Sequence, residues 1–111
     1  MTRLQTTAAL VFAALSLGAG IASASAQTRF ADDHPRRAEV LARAQVETHR
    51  ITDARREGEI TGAQAHRLRE RNREIVRREQ RLAARQGGTL TRGEQVRLNR
   101  AERRLAAHTP G

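Results

Sequence analysis

The residues that could do chemistry in this chain are few in kind. All 21 basic residues are arginine, and cysteine and lysine are absent. After residue 26 no serine remains. A hydroxyl–His–acid or thiol–His arrangement of the usual kinds is therefore missing its nucleophile, which argues against an enzyme. The histidines are His34, His49, His66 and His108. His49 and His66 approach each other if the chain folds back between them. Two histidines without a third ligand make a poor metal site, so all four read as surface residues, and no metal or cofactor is expected.

The arginines are patterned. Arg69, Arg73, Arg77, Arg81 and Arg85 follow one another at intervals of four. On a helix of 3.6 residues per turn, that spacing drifts ~40° per step and makes a basic ribbon. Such a ribbon suits polyanions or acidic and unfolded chain segments. The plainer reading is a solvated face with local Glu74–Arg78 pairing. Sequence-specific nucleic-acid binding is not expected, because Phe30 is the only aromatic residue after position 26 and offers no stacking platform.

Placing the ribbon requires helix boundaries, and an internal repeat supplies them. Residues 57–64 (EGEITGAQ) return as residues 87–94 (GGTLTRGE). Each copy reads as a helix stop and a helix start. Gly58 and the Gly87-Gly88 pair provide left-handed residues that end a helix. Thr61 and Thr91 are N-caps, and Gln64 and Glu94, three residues on, complete capping boxes. Three helices are predicted, over about residues 35–57, 62–86 and 92–107, with Pro35 in the first turn of the first. The fold class is all-α. Short loops favour a three-helix up-down-up antiparallel bundle, or extended helical hairpins, over residues 35–108. Residues 27–34 and 109–111 read as tails, the first of them mobile.

The seam of this bundle is thin. Opposed pairs are expected at Ile51–Leu68, Ala44–Ile75, Leu82–Leu98 and Ile75–Leu105. Leu68, Ile75 and Leu82 form one stripe, interrupted by Asn72 and Glu79. Large apolar residues after position 26 number only 14, below the ~20% share at which high charge begins to suggest disorder. Without disulfides to compensate, association into a homo-oligomer or a partner is expected to complete the fold.

The first 26 residues read as a cleavable signal peptide. Arg3 precedes 14 uncharged residues (8–21), and the small residues Ala22-Ser23-Ala24-Ser25-Ala26 follow. Cleavage is expected after Ala26. The run is shorter than the ~20 apolar residues of a membrane span, and no later segment is apolar enough to cross. The expected product is periplasmic or secreted. It carries 20 arginines against 12 acidic residues, a net charge of +8. Export directs that charge toward anionic envelope components and unfolded chains.

Three resemblances follow from these residues. Ile60-Thr61-Gly62-Ala63-Gln64 and Leu90-Thr91-Arg92-Gly93-Glu94 resemble the LTxxQ motif of the Spy/CpxP family of periplasmic helical proteins. That resemblance implies a basic, cradle-like surface acting as an ATP-independent chaperone or in envelope stress. Ile stands for Leu in the first copy, Glu for Gln in the second, and the family spaces its motifs farther apart. More broadly, the chain looks like a group of small exported proteobacterial helical proteins of unassigned function. The shared pattern is His34-Pro35-Arg36-Arg37-Ala38-Glu39-Val40 followed by the two loops. Finally, residues 53–64 and 83–94 resemble degenerate EF-hand loops. Asp53, Gly58, Ile60 and Gln64 hold the first, sixth, eighth and twelfth places. Arg55 and Arg85 stand where third ligands belong, and Ala83 opens the second loop. The alternatives to a binding role are thus an EF-hand-like cation binder or a structural envelope protein with no specific ligand.

Overall fold

A computed structural model describes residues 25–111, and the signal-peptide expectation falls almost wholly outside them. The described chain is all-α. Its principal helices are α1 (Pro35–Arg56), α2 (Gly62–Ala84) and α3 (Arg92–Ala107). Among the described residues no helix is long and apolar enough to cross a membrane.

The helix ends have local causes. Pro35 occupies the first turn of α1, and His34 before it is non-helical (φ −135°, ψ 65°), because the proline ring disfavours the helical region for the preceding residue. At the other end, the Glu59 amide donates to Ala54 O (2.9 Å) and the Gly58 amide to Arg55 O (3.2 Å). This is a Schellman turn, with Gly58 at φ +74° supplying the left-handed residue. At the end of α2 the Gly88 amide donates to Ala83 O (2.8 Å). Gly87, at φ +68°, is therefore the turning residue, with Gly88 following at φ +94°. Helix α2 stops at Ala84 with Arg85 as its C-cap, slightly short of residue 86. Both capping boxes form. The Gln64 amide donates to Thr61 Oγ1 (3.1 Å) and the Thr61 amide to Gln64 Oε1 (2.7 Å). Glu94 and Thr91 repeat the pattern at 3.1 and 2.9 Å.

Every pair of these three helices is in contact. Between α1 and α2 the cross-links are Arg37–Glu79, Ala44–Asn72 and Thr48–Asn72, so one helix ascends as the other descends. Between α1 and α3 they are Glu39–Asn99 and Glu47–Thr109, the latter just beyond the helix end, and both numbers rise together.

The core has two apolar clusters. One contains Ile51, Ala54, Ile60, Ala65, Leu68 and Leu105. The other contains Val40, Ala83, Leu90 and Leu98, with Leu82 packed against it. Ile75 packs against both. The repeat thus has a packing role: Ile60 and Leu90, one from each loop, are both buried in these clusters. Ile51 and Leu68 share a cluster, and Leu98 and Leu82 share the other, as their register requires. Ala44 instead accepts a hydrogen bond from Asn72 Nδ2 through its carbonyl (2.8 Å).

Both segments read as tails carry local structure. Residues 25–33 are helical, since nothing between them breaks a helix before His34-Pro35. Residues 109–111 are held by side-chain contacts. Thr109 is buried, and its hydroxyl lies 2.5 Å from Glu47 Oε1 and 3.2 Å from Leu105 O. Arg50 Nη2 donates to Thr109 O (3.3 Å) and Gly111 O (3.1 Å).

Candidate functional site

The arginine series runs along α2 to its C-cap, Arg85, but its members differ in setting. Arg69 is half-buried, whereas Arg73, Arg77, Arg81 and Arg85 are exposed. Arg73 pairs with Glu70 (2.9 Å), and Arg77 and Arg81 both pair with Glu74 (3.1 and 3.3 Å). Glu74 therefore reaches Arg77 and Arg81 rather than Arg78. The Arg77 and Arg81 guanidiniums, in that order, hold the Glu74 carboxyl below its usual range. Exposed pairs of this type contribute little to stability, so an incoming carboxylate can exchange for Glu70 or Glu74 at small cost.

Two of these arginines border a groove between α1 and α2. The groove encloses about 560 Å³. Leu41, Ala44 and Val76 give it an apolar floor, and Gln45, Thr48, His49, Arg73 and Arg77 surround them. Asn72 also lines it. Asn72 Nδ2 donates to Ala44 O and to Thr48 Oγ1 (3.0 Å), while its Oδ1 is buried without a hydrogen-bond partner among the described residues. The groove thus offers apolar surface and two cations within one strip.

The capping residues Gly58, Thr61, Gln64, Gly88, Thr91 and Glu94 are occupied by helix termination, as described above. This bears on the EF-hand resemblance. Asp53, in its first place, lies within α1 and is 4.0 Å from Arg56. Gln64 and Glu94, in the twelfth places, spend side-chain oxygens on their own caps. Glu94 also accepts from Gln86 Nε2 (2.5 Å); this contact first, then Thr91, holds its carboxyl low. Glu57 and Glu59 meet across Gly58, and their mutual hydrogen bond raises Glu59. Among the described residues, no group of three or more His, Cys, Asp or Glu side chains is arranged to hold a metal ion.

Sequence reasoning missed a set of buried polar side chains. Glu47, Asn72, Glu79, Asn99, Glu102 and Thr109 are all buried. All but Asn99 continue the 3–4 spacing of the apolar seam residues: 40-44-47-51-54 on α1, 65-68-72-75-79-82 on α2, and 98-102-105-109 along and just past α3. That spacing was the signal available. Glu79 is fully buried, and its Oε1 accepts from Arg37 Nε (2.5 Å). It therefore faces inward and does not offset the arginines on the outer surface of α2. Asn99 Nδ2 donates to Glu39 Oε1 (3.1 Å), and Gln95 Nε2 donates to Glu39 Oε2.

Glu102 is the extreme case. Only 4% of it is exposed, and among the described residues neither carboxylate oxygen has a hydrogen-bond partner. Burial first, and the nearby Glu47 carboxylate second, push it up to about 7, with Arg43 partly opposing them. It lines a cleft of about 400 Å³ between α1 and α3, with Glu39, Ala42, Val46, Arg103 and Ala106 among its neighbours there.

Comparison of the chain with protein-family models, with curated proteins and with solved structures gives no match.

Proposed function

We propose that this is a non-enzymatic, exported helical protein that holds acidic or unfolded chain segments in a chaperone-like way. Its binding strip is the α1/α2 groove together with the α2 arginines. The observation that carries this reading is the groove's composition: Leu41, Ala44 and Val76 lie beside Arg73 and Arg77. Unfolded chains mix apolar and charged side chains, and a strip that takes both at once holds them without reading a sequence. Arg81 extends the basic surface along α2, and its pairing with Glu74 is exposed and exchangeable. Anionic envelope components are served by the same arginines but make no use of the apolar floor.

Aggregation of an acidic client, followed by light scattering with the protein in stoichiometric excess, tests the proposal. Wild-type protein suppresses aggregation at low salt and less at moderate salt, because exposed charges are screened. The charge-reversal triple variant Arg73→Glu, Arg77→Glu, Arg81→Glu loses suppression while keeping its helicity. Absence of suppression by the wild type sinks the proposal, and an equally active triple variant removes the arginines from it.

A further inference from the structure

We propose that the α1/α3 face docks on a second copy of this chain, with Arg103 of each copy reaching Glu102 of the other. The face is built differently from the rest of a strongly basic molecule. Three carboxylates (Glu39, Glu47, Glu102) and three guanidiniums (Arg43, Arg50, Arg103) surround the cleft. It is thus charge-balanced in a chain of net charge +9, and two such faces meet without the repulsion of the other surfaces.

The charges are also unequally satisfied. Arg43 is held by Glu39 (3.2 Å), and Arg50 lies 3.6 Å from Glu47. Arg103 is exposed and pairs with no acid among the described residues, while both Glu102 oxygens are unpartnered among those residues and covered from solvent, so an incoming guanidinium reaches them by displacing the side chains over the cleft. These two are consecutive on α3, so their side chains diverge by about 100° and do not face each other within one helix. A two-fold-related copy brings them face to face, because a symmetric contact pairs residue i with j and j with i. Val46, 58% exposed, stands in the same cleft with Ala42 and Ala106. Together they give the contact an apolar centre.

Pairing with Arg103 ionises Glu102, so docking releases a proton and tightens as pH rises through about 7. The charged groups that line the cleft with Glu102 are Glu39, Arg43, Glu47 and Arg50 from α1 and Arg103 from α3, and α2 adds none to that lining.

Sedimentation of the 111-residue chain over a range of concentrations, at about pH 5.5 and about pH 8, tests the proposal. Wild type self-associates, more tightly at the higher pH. Glu102→Gln and Arg103→Gln each weaken association there by roughly tenfold or more, and Glu102→Gln removes its pH dependence. Because the chain has no cysteine, Val46→Cys introduces a lone thiol at the centre of the face, and Gln80→Cys one on the exposed surface of α2. Mild oxidation cross-links copies at position 46 and not at position 80. A wild type that stays monomeric, equal association of all three chains, or equal cross-linking at both positions overturns the proposal. Circular dichroism of Glu102→Gln confirms that it is folded.

Discussion

Replacing Glu102 by Gln removes a titration that works against the fold. The folded carboxyl titrates at about 7 against an ordinary value of 4.5, so the folded state binds this proton more tightly than the unfolded chain does. Stability from this group is fully present below about pH 4.5 and is lost as pH rises through about 7. At 1.36 kcal/mol per unit, the shift corresponds to about 3 kcal/mol. The effective dielectric of a protein interior, well above that of a dry medium, reduces the realised value to about 2 kcal/mol. The amide of Gln keeps the shape and cannot ionise. The assay is urea unfolding followed by helical circular dichroism, at about pH 5 and about pH 8, on protein diluted until copies do not associate. Wild type loses about 2 kcal/mol between the two conditions beyond whatever Glu102→Gln loses, and at the higher pH the variant is the more stable. Parallel behaviour of the two chains, or a variant less stable at the higher pH, refutes the reasoning.

Other substitutions probe the remaining buried and exposed charges. Arg37→Ala leaves Glu79 buried without its cation and costs about 3–5 kcal/mol in the same unfolding assay, whereas the double change Arg37→Met, Glu79→Met restores most of the loss. Thr61→Ala and Thr91→Ala each remove an N-cap acceptor and cost about 1 kcal/mol, additively, because the two caps lie in different loops. Glu74→Gln releases Arg77 and Arg81 yet leaves the unfolding midpoint essentially unchanged in the same assay, since all three side chains are exposed.

The parts of the fold that could be read from the sequence are those with local causes. Thr61 with Gln64 and Thr91 with Glu94 set helix starts within four residues, and Gly58 and Gly87 set stops within six. Each signal sits where its physical cause acts. Leu68, Ile75 and Leu82 marked the inner side of α2 for the same reason. The buried acids were obscured because their partners are distant. Glu79 is compatible with the core only because Arg37, 42 residues earlier, reaches it, and Glu47 is joined by Thr109 from 62 residues later. Asn72 and Glu79 looked like interruptions of a seam, whereas they occupy its positions. The arginine series was legible as spacing. Which arginines border apolar surface was not, because that depends on Leu41 and Val76 arriving from two different helices.

The central claim is that the α1/α2 groove receives acidic, unfolded chain. It is tested most directly by nitrogen-15 chemical-shift mapping during titration with a permanently unfolded acidic polypeptide, such as reduced, carboxymethylated lactalbumin. The account predicts saturable shifts concentrated at Leu41, Ala44, His49, Asn72, Arg73, Val76 and Arg77, reduced by added salt and absent in the triple charge-reversal variant. Shifts that are absent, or that centre on the α1/α3 cleft around Val46 and Arg103, contradict it.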